Sequence, residues 1–118
     1  MAKKPTDIIE IPLKVESRNI LDRQHWAVKR KSKGIWGLFI RNQMKLRGIE
    51  KAKCKKYKIC ILSYRKKKLD PDNLVGGVKS LLDAMIEEEF IFDDSSEYID
   101  LHVEQHISNT YLTIITRK

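Results

Sequence analysis

Cysteine is scarce in this chain: Cys54 and Cys60 are the only two. They have neither CxxC spacing nor a nearby histidine pair, which argues against a disulfide framework and a structural zinc site. Two free thiols fit a reducing cytoplasm, the expected location. Proline is also sparse. Pro5, Pro12 and Pro71 are scattered, and no repeat, linker or low-complexity segment occurs. Nothing marks a second domain, so the 118 residues are read as a single domain, 1–118, with one modest core. No run of about 18 apolar residues exists, so no membrane partner is expected. The opening MAKKPTDIIEIPLK has lysines but no apolar stretch ahead of a small-residue cleavage site, so no secretory signal is expected.

Acid is missing only locally. Residues 23–68 hold seventeen Lys and Arg and one acid, Glu50, whereas residues 69–104 hold eleven acids and one base, Lys79. Of the overall formal charge of +8, these segments carry +16 and −10, and the rest of the chain carries the remaining +2. A basic chain suits nucleic acid or an acidic surface. Folding the two halves together sets an acidic site beside a basic field, although two separately solvated faces give the same counts.

Hydrophobic patterning predicts six elements. IIEIPLKV, 8–15, reads as a strand, with Pro12 implying an edge or a bulge. SRN at 17–19 is a turn. Residues 21 to about 47 read as mostly helical, with Trp26, Trp36, Phe39, Ile40 and Met44 as apolar candidates and a possible break at Ser32–Gly34. YKICILSYR, 57–65, is a second strand. Residues 73 to about 88 form the clearest helix, since Leu74, Val78, Leu81, Leu82 and Met85 make one stripe. FIFDD reads as a short extended piece and a turn. EYIDLHVEQHI, 97–107, reads as a strand, and YLTIITR closes a hairpin with it after Ser108-Asn109. The β-α-β-α-β-β order predicts an α+β domain with helices on one face of a mixed sheet.

RKKKLDPDNLVGG, 65–77, sets four cations against two aspartates. Asp70 can cap a helix with Pro71 at its first position, and Asp72 suits the positive end of the helix dipole. Three features point further. At the end of an extended strand, Asp70 and Asp72, two apart, would project the same way, and paired carboxylates repel unless a cation or proton is shared. On a helix, Lys79 and Asp83 fall within about 20° of Asp72, opposite the apolar stripe. Lys79 there is either a partner of Asp83 or a charge for a bound phosphate. Gly76 and Gly77 cost roughly 0.5–1 kcal/mol each relative to Ala, a sign of close backbone approach or of a loosened first turn.

Asp93-Asp94 is a second acidic pair, ordinary for a turn, that reaches Asp70 if the chain returns beside the 57–65 strand. Three or four carboxylates can hold Mg²⁺, which prefers oxygen ligands and retains waters. The metal can bind a phosphate oxygen, activate water and stabilise a leaving alkoxide. Arg65, Lys66, Lys67 and Lys68 would hold flanking phosphates, with Lys29, Arg30, Lys31 and Lys33 of the first helix holding a second arm. Together these features fit metal-dependent phosphodiester cleavage.

KLDPDNL, VKSLLDAM and FIFDD resemble the RusA family of Holliday junction resolvases, often found in prophages; Ser17-Arg18-Asn19 is similar to that family's Ser-x-Asn turn. The resemblance spans roughly 10–107 and is strong over 68–94. It implies a RusA-like fold and a homodimer that binds four-way DNA and cuts two opposed strands in recombination and repair. The implied cofactor is Mg²⁺, with Mn²⁺ as a substitute. The implied metal-binding and catalytic aspartates are Asp70, Asp72 and one of the later pair, Asp94 with Asp93 as the alternative. Lys79 matches a family lysine if Val75-Gly76-Gly77 is a three-residue insertion. The competing reading is a non-catalytic nucleic-acid-binding accessory protein; an acidic protein–protein adaptor has charge alone behind it. An EF-hand fails because DPDN lacks glycine and glutamate at loop positions 6 and 12. His25, His102 and His106 have no ligand spacing, and His102 and Glu104 read as core or surface groups.

Overall fold

The computed structural model describes residues 7–15 and 26–118, with the side chains of residues 26–33 outside the description. Its elements run β1 (Asp7–Ile11), α1 (Trp26–Arg47), β2 (Tyr57–Arg65), α2 (Pro71–Glu87), β3 (Ile99–Ile107) and β4 (Leu112–Arg117). The strands form one mixed sheet in the order β1-β4-β2-β3. β4 is antiparallel to both β1 and β2, while β3 is parallel to β2 with Tyr57 opposite Ile99 and Arg65 opposite Ile107. The fold is therefore α+β, with four strands and two helices among the described residues. Neither helix is long and apolar enough to cross a membrane.

β2 alternates strictly: Tyr57, Ile59, Ile61, Ser63 and Arg65 are buried, and the residues between them are more open. The buried series joins Trp36, Ile40 and Met44 of α1 and Leu74, Val78, Leu81, Leu82 and Met85 of α2 in one core. Both helices thus cover the same sheet face. β1 is an edge strand that stops one residue before Pro12, as a residue without an amide hydrogen dictates.

Three expectations need correction. α1 runs unbroken through Ser32–Gly34, because a tertiary face along Trp36, Ile40 and Met44 outweighs one glycine's propensity. β3 and β4 do not form a hairpin: β2 lies between them, and the 108–111 link crosses its end, with Ser108 N donating to Arg65 O at 2.9 Å. FIFDD does not start with the expected extended piece; the chain bends over 90–92, with Phe90 and Ile91 in the core. The predicted 17–19 turn lies outside the described residues.

Both helices end in a left-handed residue. After α1, Gly48 has φ 64° and Ile49 N donates to Met44 O at 2.9 Å, a Schellman closure. After α2 the same role falls to Glu89, φ 60°, with Phe90 N donating to Met85 O at 2.9 Å. A side chain in that conformation costs about 1–2 kcal/mol. The helix ends are joined by Arg41, which donates to both carboxylate oxygens of Glu88 at 2.8 and 3.0 Å. This bond holds the Glu88 carboxyl below its ordinary range. Gly37 makes room for it, since a Cβ there would stand 3.2 Å from Glu88 Oε2. Arg117, buried at the end of β4, ties three segments together through Asp7 Oδ2, Phe90 O and Glu50 O.

Candidate acidic site and basic surface

The segment that carries the aspartates is pinned at both ends. Arg65, 8% exposed, turns its guanidinium inward and donates to Val15 O and Lys67 O, both at 2.6 Å. Four residues on, Gln105 of β3 clamps Leu69: its Oε1 accepts from Leu69 N at 2.8 Å and its Nε2 donates to Leu69 O at 2.9 Å. Between these anchors Lys66, Lys67 and Lys68 are exposed. Arg65 thus leaves the set of phosphate-holding cations expected from sequence, because its charge is committed to backbone carbonyls. The side chains of Lys29, Arg30, Lys31 and Lys33 lie outside the described residues.

Asp70 is the N-cap residue of α2, with φ −59° and ψ 149°, and Pro71 follows at the first helical position. Its carboxylate makes no capping hydrogen bond. Asp72 lies in the first helical turn. Both are exposed, and neither has an ion-pair partner among the described residues. The two are not juxtaposed by strand alternation as expected, because β2 stops at Arg65 and Asp72 is already helical. They sit at the start of α2, where backbone amides without intrahelical partners and the helix dipole favour negative charge.

The second acidic pair lies elsewhere along α2. Because β3 is parallel to β2, the chain must return to the start of β2 before β3 begins. The loop carrying Asp93 and Asp94 runs beside the middle of the helix. Lys79 Nζ donates to Asp94 Oδ2 at 2.5 Å and pairs with Asp83 Oδ1 at 3.0 Å. Lys79 is seven residues beyond Asp72, about 10 Å along the axis. Among the described residues, no group of three or more His, Cys, Asp or Glu could hold a metal ion. One chain therefore joins Asp94 to Lys79 and Asp83, and leaves Asp70 and Asp72 as a separate pair. The Lys79 ammonium is held charged well into alkaline pH, first by its bond to Asp94 and then by that to Asp83.

Two features escaped the sequence reading. Gln105 is the polar member of the β3 series Ile99, Leu101, Val103, Gln105 and Ile107, which shares a sheet face with the buried residues of β2, and an amide at such a position was the available signal. Tyr111, in the link to β4, carries Lys14 Nζ 4.9 Å and Lys66 Nζ 5.5 Å from its ring centre. On the outward side of β3, Glu104 joins His102 Nε2 at 2.6 Å and His106 Nε2 at 3.1 Å. The histidine bonds, His102's first, lower the Glu104 carboxyl. All three are surface groups, which for His102 and Glu104 is one of the alternatives read from sequence.

No protein-family model and no curated protein matches the chain. Its own geometry therefore has to carry the functional reading.

Proposed function

We propose that this chain is a Mg²⁺-dependent, structure-selective endodeoxyribonuclease of the RusA kind, resolving four-way DNA junctions as a homodimer. The carrying observation is the state of Asp70. It occupies a capping position with its carboxylate unused, two residues before Asp72 and two residues after the last of three exposed lysines. A capping role would use that oxygen on the helix amides; a ligand role needs it free. The donor chemistry fits, since Mg²⁺ is commonly held by one or two carboxylates together with substrate phosphate and waters.

In this reading Asp70 and Asp72 hold the cation, and Lys66, Lys67 and Lys68 hold the neighbouring backbone. These phosphate contacts orient the substrate without reading its sequence. A bound Mg²⁺ would supply charge neutralisation at the scissile phosphate and an activated water. Asp94 stays paired with Lys79 in this reading, about 10 Å further along α2, and the remaining positions on the cation would be filled by substrate phosphate and water. Mn²⁺ would substitute for Mg²⁺. Two-fold pairing of chains would match two symmetric strands.

A non-catalytic nucleic-acid binder is the second reading. It is favoured by the lack of any three-ligand group among the described residues. A synthetic four-way junction incubated with Mg²⁺, Mn²⁺ or EDTA separates the two. Paired, metal-dependent nicks in opposed strands are expected; strands left whole in both metals, despite binding, reject the nuclease and leave the binder.

A further inference from the structure

The far end of β2 is as basic as the end that leads to the aspartates. Lys51, Lys53, Lys55 and Lys56 precede the strand, and Lys58 lies one residue inside it. All five are exposed, and Lys51 alone has an ion-pair partner among the described residues, Glu89 at 2.7 Å. The lysines surround two adjoining clefts that share Tyr57 and Lys118. One, of about 300 Å³, is lined by Lys53 and Lys55; the other, of about 530 Å³, by Lys56 and Lys58.

This surface is held in place. Tyr57 is 9% exposed, and its hydroxyl accepts from Lys53 N at 2.9 Å. Its ring lies 5.0 Å from Lys55 Nζ and 5.1 Å from the Arg117 guanidinium carbon. Ala52 N donates to Glu89 O at 2.6 Å, fastening the segment to the end of α2. Lys55 stands over this fixed aromatic, while Lys53, Lys56 and Lys58 line the two clefts beside it, with Glu50 and Asp100 as the acids there that have no ion-pair partner among the described residues. Like charges so arranged repel, and a polyanion relieves the repulsion while releasing its own counterions.

We propose that Lys53, Lys55, Lys56 and Lys58, lining the two adjoining clefts beside Tyr57, form a second binding surface for the sugar-phosphate backbone of duplex DNA, at the opposite end of β2 from Asp70. The proposal rests on the nucleic-acid reading above and extends it. The eight steps between the nine strand residues, at about 3.3 Å each, separate the two basic ends by roughly 26 Å. At 3.4 Å per base pair that is about eight base pairs of duplex, so a DNA arm leaving the acidic site can reach this surface.

The test is the salt dependence of four-way junction binding, measured by fluorescence anisotropy on the full chain. The triple variant Lys55→Gln, Lys56→Gln, Lys58→Gln should lower the slope of log K against log salt by about 2.7, since each lost phosphate contact removes about 0.9. The double variant Lys56→Gln, Lys58→Gln leaves Lys55 on Tyr57 and should lower it by about 1.8; it carries the test if the triple variant does not fold. Lys45→Ala, on α1, should leave the slope unchanged. A wild-type slope in the double or triple variant, with junction binding intact, overturns the second surface and leaves the proposed function standing. A Lys45→Ala effect as large as that of each lysine in the cluster also overturns it. Failure of the wild-type chain to bind DNA at low salt rejects both.

Discussion

Asp70/Asp72 and Asp93/Asp94 are alike in composition and opposite in circumstance. The first pair is exposed at the start of α2, and neither carboxylate has an ion-pair partner among the described residues. The second is half-buried beside the same helix, and Asp94 is held by Lys79 at 2.5 Å. The contrast shows how backbone context assigns a carboxylate its work. At a helix start a free oxygen is available to a ligand; in a return loop it is drawn to the nearest ammonium and fastens the loop to the helix.

The largest effect should come from neutralising the free pair. Asp70→Asn and Asp72→Asn should each reduce junction cleavage by about a hundredfold or more, while binding stays equal or tightens because negative charge near DNA is removed. Single-turnover cleavage and anisotropy on the same samples check this. Normal cleavage by either variant removes that aspartate from the ligand set. If Asp94→Asn is equally damaging, the two pairs act together in the active assembly rather than separately.

The clamp that positions the first pair is the next target. Gln105→Leu removes both bonds to Leu69 and leaves two backbone groups poorly satisfied, at a cost of about 1–3 kcal/mol. Denaturant unfolding reads the stability loss. Gln105→Glu keeps the acceptor for Leu69 N but loses the donor to Leu69 O, so cleavage should fall between wild type and Gln105→Leu. Unchanged stability in Gln105→Leu would mean that the 66–70 segment is held by Arg65 alone.

Smallest is the Lys79–Asp94 bond itself. Lys79 is 60% exposed at its side chain, so the pair should be worth no more than about 1 kcal/mol. A lysine whose folded pKa is raised contributes stability that is complete below its unfolded value near 10.4 and is lost as pH rises through the folded value. Wild type should therefore be more stable than Asp94→Asn at neutral pH, with the gap closing at strongly alkaline pH. A gap that persists there would assign the effect to loop packing rather than charge.

Much of this fold was legible locally. The α2 stripe and the β2 alternation were read in place because helix and strand periods depend on neighbouring residues alone. The β3–β4 hairpin was misread because a short turn looks the same whether its strands pair or straddle a third. At the site, the aspartates and lysines were visible as chemistry. Arg65 counted as one cation among four until its burial against the carbonyls of Val15 and Lys67 removed it. Gln105 drew no notice because its partner lies 36 residues away.

The sequence by itself determined the periodic elements, the division of charge between 23–68 and 69–104, and the adjacency of Lys66–Lys68 to Asp70 and Asp72, since each depends on order along the chain. Only the tertiary structure decided that β2 separates β3 from β4, that Asp94 meets Lys79 before it meets Asp72, and that a second group of lysines lines the clefts beside Tyr57. Those outcomes depend on how a parallel crossover routes its return loop, and that route is set by packing one helix face against the sheet.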